Sequence, residues 1–423
     1  MARTCAVLLT LVGAIVASAT PPVSAESPAS LTLEQALAEA LEQNPALAVE
    51  RNEIGIAAGS LRQARIYPLN PELDLEGGAG TGRPIDEGNH RDINSRSFGL
   101  SQTIWLRGQR GLRTRSAEAG LARADASVKD AERQVTGDVL RAFSEVLVGQ
   151  ERVALAREIV ALTTEVRDAA GKLFEAGAVP QLDVFRANVE LEKAQNRLVT
   201  EERNLRTTQR ELALLVGRDA DQSIRAEGPL TFAPPGGDLP ALQQAALERR
   251  PDLAVARAAV RAAAAELALV RAERFFPEVK VGLKYDEARD FDNVNRTGLL
   301  TLSVPLPLVN RRQGDLDRVV AELKRQEAQV ALVQRRIQKE VASAYQQVVA
   351  SLRVADAYTS RILPDQDRNF RLLREGYNLG EFRITDVFVG QREFIDARDA
   401  YLNTVAELNG AAAELYRALN RRP

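Results

Sequence analysis

Cysteine, histidine, methionine and tryptophan each occur once in this 423-residue chain, as Cys5, His90, Met1 and Trp105. One histidine and one cysteine cannot build a Cys/His zinc site, and the lone histidine falls in an expected loop with no triad pattern around it. Tight capture of copper or zinc would call for Met, Cys or His ligands, which are missing too. No catalytic constellation, cofactor site or metal site is therefore expected, and His90 reads as an exposed loop residue. Charge of one sign is also lacking: 56 basic residues face 58 acidic ones, for a net charge of -2. Such a balance argues against nucleic acid as a partner. Aromatics make up only 5% of the chain, while Ala, Leu, Glu and Arg dominate, as in long helices and coiled coils. Past the N-terminus, no apolar run is long enough for a transmembrane helix. A chain of this kind can span a membrane only as part of a closed barrel.

The N-terminus has the layout of a secretory signal. Arg3 precedes an apolar run from Ala6 to Ala17, and the small-residue sites Ala17-Ser18-Ala19 and Val23-Ser24-Ala25 follow. Residues 1–25 are read as a cleavable leader. Cys5 lies ahead of the apolar run and would leave with it, so the exported protein would hold no disulfide.

What the sequence does have is a duplication. LEQNPALAVERNEIGIAAGSLRQARIYPLNPEL from Leu41 matches LERRPDLAVARAAVRAAAAELALVRAERFFPEV from Leu247, an offset of 206 residues. In that register Pro45 falls on Pro251, Leu47 on Leu253, Pro71 on Pro277 and Glu72 on Glu278. FEAGAVPQLDV from Phe174 matches YNLGEFRITDV from Tyr377 at an offset of 203, which places Gly177 on Gly380 and Asp183 on Asp386. A period of this size marks a repeated structural unit. Two repeats are read, 26–220 and 239–423, joined by a linker at 221–238.

Each repeat reads as helix, two strands, long helix, helix. The first helix is expected over about Leu31–Ile66 and Leu239–Phe275. The long helical pattern runs from near Gly111 to Glu175 and from near Gly314 to Asn378, or about 100 Å at 1.5 Å per residue. Pro364 should kink the second of these or reset its register. Each unit closes with a helix of about 36 residues, ending near Val216 or Leu419, so that two short helices stacked end to end match one long one. Val184, Leu191, Leu198, Leu205 and Leu212 recur every seven residues, as do Val387, Phe394, Tyr401, Leu408 and Leu415. Leu155, Ile159, Leu162, Val166, Ala169 and Leu173 alternate by four and three. These spacings form an a/d seam between supercoiled helices.

Four segments switch to a period of two, the pattern of half-buried strands. Leu73, Leu75, Gly77 and Ala79 alternate with Glu72, Asp74 and Glu76. Phe98, Leu100, Gln102 and Ile104 alternate with Ser97, Gly99, Ser101 and Thr103. In the second repeat, Val279, Val281, Leu283 and Tyr285 alternate with Glu278, Lys280 and Lys284, and Leu300, Leu302, Val304 and Leu306 close the set. The connections Gly80–Asn94 and Asp286–Arg296 are expected as polar loops. Four strands alone leave two edges that hydrocarbon does not tolerate. Two chains would give eight strands and a filled interior, whereas three would give twelve and a lumen. The geometry favours at least a trimer, on a cyclic axis through the pore.

The duplicated plan resembles the TolC-like outer-membrane factors of tripartite efflux systems, over about Leu31–Leu419. RNEIGIAAGSLRQARIYPLNPELDLEGG and PLPLVNRRQG are most similar to the subgroup serving cobalt, zinc, cadmium or copper efflux. The resemblance implies a mainly α fold with a small β part: long coiled-coil helices forming a periplasmic tunnel, and four strands per chain in a trimeric 12-stranded outer-membrane β-barrel. Implied partners are two further copies of the chain, a periplasmic adaptor, an inner-membrane RND pump and outer-membrane lipid.

The family's turn motif is Gly, five residues, Asp-Val, found here at Gly177 through Asp183-Val184 and at Gly380 through Asp386-Val387. It implies that Gly177, Ala178, Val179, Leu182, Gly380, Glu381, Phe382 and Ile384 form the periplasmic tip that docks the adaptor. By the same resemblance Asp386 rings the aperture, and Asp183, Tyr377 and Arg383 belong to a network holding it closed. Phe382 stands where a basic residue often joins that network, with Arg383 next to it, and Pro180 stiffens only the first tip. A helix-terminating glycine followed by a first-turn carboxylate also has a purely structural explanation. Glu72, Asp74, Glu76 and Asp386 could bias a pore toward cations, or be solvated surface charge. Two functions remain open: a passive exit duct for heavy-metal cations, drugs or polypeptides, or a soluble periplasmic coiled-coil scaffold or adaptor without a barrel.

Overall fold

The computed structural model describes residues 29–82, 91–222, 224–274, 278–290 and 293–423. The expected leader, Cys5 and His90 lie outside the described residues.

The long helix of the first repeat, α3 (Gln109–Glu175), is unbroken over 67 residues and extends about 100 Å at the standard rise. Two shorter helices share its length. Over its first part runs α2 (Pro45–Arg65), antiparallel, with Arg65–Glu118 and Arg51–Glu132 ion pairs at 3.2 and 3.7 Å. Over its last part runs α4 (Gln181–Val216), tied by Arg157–Glu202 at 3.0 Å. The second repeat follows the same plan with α6 (Pro251–Glu273), α7 (Gln313–Ala357), α8 (Leu363–Asn378) and α9 (Ile384–Leu419).

The expected first helix is two helices in each repeat: α1 (Leu33–Gln43) precedes α2, and α5 (Leu239–Arg249) precedes α6. Proline causes both breaks. It lacks the N–H for the helical bond and forces the preceding residue out of the α region. Asn44 and Arg250, just before Pro45 and Pro251, accordingly have ψ of 123° and 124°. Asn44 uses the break: its side chain accepts from Ala46 N at 2.9 Å and donates to Leu215 O at 2.8 Å, joining the ends of α2 and α4. Arg250, also buried, reaches Asp252 and Glu340 instead. Pro364 acts as expected. A π-helical turn, Tyr358–Ile362, separates α7 from α8, with Pro364 in the first turn of α8. The wider turn absorbs the missing backbone donor without ending the rod.

Two four-residue strands escaped the sequence reading: β1 (Ala29–Thr32) and β4 (Ile224–Glu227) pair in parallel beside the rod. They cover a core that includes Leu37, Leu140, Phe143, Leu212 and Ile224. Three helix side chains fasten the segment between the repeats to that core. Gln150 bonds both Ala226 N and Ala226 O, at 2.9 and 3.0 Å. Buried Asn409 accepts from Phe232 N at 2.9 Å and donates to Leu230 O at 2.7 Å, and Tyr416 Oη donates to Ala233 O at 2.8 Å.

At one end of the rod lies a four-stranded antiparallel sheet of β2 (Glu72–Gly82), β3 (Arg91–Trp105), β5 (Glu278–Asp290) and β6 (Asn293–Ser303), in that spatial order. The two repeats meet at the β3–β5 pair, leaving β2 and β6 as edges. The expected loops are shorter than read, because the ladder continues through Gly80↔Ile93 and Glu287↔Arg296. Backbone pairing does not depend on the polar side chains that suggested loops. In the other direction, Val304 and Leu306 fall outside β6, which stops at Ser303, ahead of donor-less Pro305. Where sheet meets rod, Glu273 accepts from Arg113 at 2.9 Å and from Arg312 at 2.5 Å.

Candidate functional site

The sheet is inside out relative to a soluble one. Leu73, Leu75, Phe98, Leu100, Leu283, Tyr285, Leu300 and Leu302 are all exposed, several by about two-thirds of their surface. The register puts them on one side, in rungs such as Leu73↔Leu100↔Leu283↔Leu300. Ser97 and Ser101 are buried on the opposite side. There the charges pair across strands: Lys280–Glu72 at 2.5 Å, Lys284–Glu76 at 2.9 Å and Lys284–Asp286 at 3.6 Å. Ser97 Oγ donates to Glu76 at 3.2 Å, and Ser101 Oγ lies 3.5 Å from Asp74. A water-facing sheet would reverse this arrangement. An apolar outer face over a charged inner face suits a barrel with lipid outside and an aqueous lumen. Trp105, stacked on Tyr67 with ring centroids 5.4 Å apart and capped by the Arg113 guanidinium at 4.6 Å, marks the boundary with the rod. Aromatic rings with a polar neighbour are characteristic of a membrane interface. Among the described residues, no helix is long and apolar enough to cross a membrane, and no group of three or more His, Cys, Asp or Glu could hold a metal.

At the far end of the rod the two turn motifs have the same backbone. Gly177 and Gly380 sit at φ +72° and +80°, a conformation that disfavours any Cβ. Both helices close with the paired bonds of a Schellman turn. In the first, Gly177 N donates to Phe174 O at 2.9 Å and Ala178 N to Leu173 O at 2.8 Å. In the second, Gly380 N donates to Tyr377 O at 2.9 Å and Glu381 N to Gly376 O at 2.8 Å. Ala178, Leu182, Glu381 and Phe382 are exposed and Val179 is half-buried, whereas Ile384 is buried. Ile384 therefore anchors its turn in the core and offers no surface.

Within one chain the four residues read as an aperture network make the following contacts. Asp386 Oδ2 accepts from Arg383 N at 3.1 Å, so this carboxylate caps α9. Asp183 lies at the same position of α4 but faces Pro180, which has no N–H; its nearest ionic partner is Arg186, at 3.7 Å. Tyr377 is buried, and its hydroxyl has no hydrogen-bond partner among the described residues. Burial, and secondarily the negative charge of Asp183, pushes the Tyr377 phenol above its ordinary value. Asp183 and Tyr377 are thus close enough to interact electrostatically, without the hydrogen bond a network within one chain would need. The two tips are held side by side by ties the sequence reading missed. Gln391 donates to Thr163 at 2.6 Å in the buried seam, Arg374 pairs with Glu165 at 2.9 Å, and Arg197 pairs with Asp399 at 2.5 Å. Only the heptad register could have pointed to Gln391, a polar residue on a seam otherwise lined by Val387 and Phe394.

Comparison with known proteins agrees with this geometry. The chain is 27% identical over 404 residues to the cobalt-zinc-cadmium resistance protein CzcC of Cupriavidus metallidurans, covering 96% of this chain and 93% of that protein. It is 26% identical over 354 residues to the nickel-cobalt-cadmium resistance protein NccC of Alcaligenes xylosoxydans, covering 82% and 74% respectively. Among solved structures, the outer-membrane channel OprN superposes with a TM-score of 0.76 at 19% identity, over 92% of this chain and 90% of that one. CusC superposes with a TM-score of 0.75 at 19% identity, over 92% of each chain. The family model described as outer membrane efflux protein matches twice, over residues 36–218 and 242–421. Both repeats are matched, and the chain belongs to the outer membrane efflux protein family.

Proposed function

We propose that this chain is the outer-membrane exit duct of a tripartite efflux system for heavy-metal divalent cations, working as a homotrimer with a periplasmic adaptor and an inner-membrane RND pump. The observation that carries the reading is the inverted sheet, with exposed leucines on one face, ion pairs on the other and two unpaired edges. Such a sheet is stable only when closed against copies of itself in lipid. A soluble scaffold would leave that apolar face in water. The resistance functions of CzcC and NccC favour metals over organic solutes. In this reading the duct is passive, with energy supplied by the pump, and no resident metal or cofactor is required. Gly177, Ala178, Val179 and Leu182, with Gly380, Glu381 and Phe382, present the tip to the adaptor, and Ile384 holds the second turn in place. Asp183, Tyr377, Arg383 and Asp386 line the closing end, where the Tyr377 hydroxyl is available to a neighbouring tip. Residues 1–25 act as the export signal, repeats 26–220 and 239–423 supply matching walls, and 221–238 joins them.

Fractionation of cells expressing the full chain tests the duct. Heat-modifiable trimers in the outer membrane are expected, and recovery in the soluble periplasm overturns the reading. Loss of cobalt, zinc and cadmium tolerance on deletion, restored by the wild-type chain, is expected for the metal assignment. Unchanged tolerance with intact trimers overturns that part alone.

A further inference from the structure

The apolar face of the sheet ends abruptly in a row of arginines. The rung Leu75↔Phe98↔Tyr285↔Gly298 is followed, one step toward the hairpin ends, by Gly77↔Arg96↔Glu287↔Arg296. Arg289, two residues further along β5, shares the same side. These arginines therefore project with the exposed leucines, away from the Lys280 and Lys284 ion pairs. Glu287 accepts from Arg296 at 3.3 Å, with the arginine side chain largely exposed and the carboxylate half-buried. Arg96 and Arg289 have no ion-pair partner among the described residues. Of these three guanidinium groups only the one on Arg296 has a carboxylate partner.

Directly below this row the sheet surface holds a hollow of about 500 Å³, lined by Leu73, Phe98, Leu283, Tyr285, Gly298 and Leu300 among others. The hollow is shallow and open, and a side chain at Gly298 would meet nothing within 4 Å there. An arginine on the lipid face of a strand costs about 2–4 kcal/mol at mid-bilayer and little near the interface. The row therefore marks the polar boundary farthest from the rod. A guanidinium there pairs best with phosphate, which it can grip with two parallel hydrogen bonds.

We propose that Arg96, Arg296 and Arg289 bind the phosphate of a phosphorylated outer-leaflet lipid whose acyl chain fills the hollow at Gly298. The cationic row and the apolar hollow lie one rung apart, about 7 Å along the strand, the order in which a lipid presents phosphate and chain. A free anion would use only the arginines, and a protein partner would have to displace lipid from the leucine face. The inference rests on the outer-membrane reading above.

The test is native mass spectrometry of the full-length detergent-purified trimer, titrated with lipid A bisphosphate, with phosphatidylcholine and with inorganic phosphate. Wild type is expected to retain lipid A and to release phosphatidylcholine, with inorganic phosphate a poor competitor. The double variant R96Q/R296Q should bind lipid A about ten-fold or more weakly, as expected for losing charge-assisted bonds. Gly298→Phe, which fills the hollow while keeping every arginine, should weaken lipid A binding as well. If R96Q/R296Q does not trimerise, Gly298→Phe decides. Lipid A binding unchanged in the trimeric variants, or equal competition by inorganic phosphate, overturns the proposal. A wild-type chain that forms no heat-modifiable trimer counts against the duct itself, whereas intact trimers indifferent to lipid A count only against the lipid site.

Discussion

The two tip turns share a backbone and differ in how their side chains fill space. At the offset of 203, Leu173 and Val179 of the first tip correspond to Gly376 and Phe382 of the second, and Ala170 and Ala187 correspond to Leu373 and Gly390. Each pair exchanges bulk. A Cβ at Gly376 would run into the Phe382 ring, and one at Gly390 into Leu373. Ala187, in contrast, is fully buried against the first seam. The lesson is that backbone closure and packing are separable. The glycines at φ +72° and +80° fix the turn in both copies, while the second copy moves volume between helix and turn to present an aromatic at its surface.

The largest expected effect comes from undoing that exchange. Gly390→Ala should overpack the second tip by about 1–3 kcal/mol, seen as faster amide exchange over α8 and the start of α9. Adding Leu373→Ala recreates the alanine pair of the first tip and should restore most of the loss. No rescue would mean that the two tips do not share one packing solution. Next come the turns themselves. Gly177→Ala and Gly380→Ala should each cost about 1–2 kcal/mol, because an L residue is strained in the left-handed region. Exchange at Ala178 N and Glu381 N should quicken by similar factors, since the two bonds they report on are equivalent. A large inequality between the tips would break the comparison.

The two carboxylates give a smaller and sharper contrast. Asp386→Ala removes the acceptor for Arg383 N and should cost about 0.5–2 kcal/mol in helix capping. Asp183→Ala should leave its own helix end almost unchanged, because Pro180 has no N–H to cap. Arg383→Pro would make the second tip resemble the first, and Asp386→Ala on that background should become nearly neutral.

These contrasts also show what the sequence disclosed. Helix ends at Val216 and Leu419, the turn glycines, the Pro364 disruption and the in-out alternation of Leu73 or Leu283 all follow from local patterns: periodicity, proline chemistry and αL preference. The breaks at Asn44 and Arg250 were equally local, written in Pro45 and Pro251, but were passed over because the apolar period continues across them. Other features have no local signature. Pairing of β1 with β4 joins residues almost two hundred positions apart through four-residue strands, too short to show a period. The roles of Asp183 and Asp386 depend on a single N–H three residues earlier, so a motif that equates them cannot tell a cap from a carboxylate that caps nothing. Asp386 was read as an aperture residue, and within one chain it is a helix cap.

The smallest expected effect is the most specific to the carboxylate that caps no helix. Burial is the larger cause of the raised Tyr377 phenol and the Asp183 charge the smaller. A phenol whose folded value lies above its unfolded value of about 10 contributes stability that is complete below that pH. The contribution is lost as pH rises through the folded value, because ionisation is easier once the chain is open. The seam around Tyr377 should therefore hold at neutral pH and loosen only in alkaline solution. Phenolate absorbance, corrected with Tyr377→Phe, should show Tyr377 titrating above the ordinary tyrosine value. Asp183→Asn should lower that midpoint by a minor part of the shift, since burial remains, and Asp386→Asn should not move it. Equal shifts from both variants would mean that the second carboxylate also faces the ring and that the two tips are electrically alike. A shift from Asp183→Asn alone would show that only the first-tip carboxylate faces the ring.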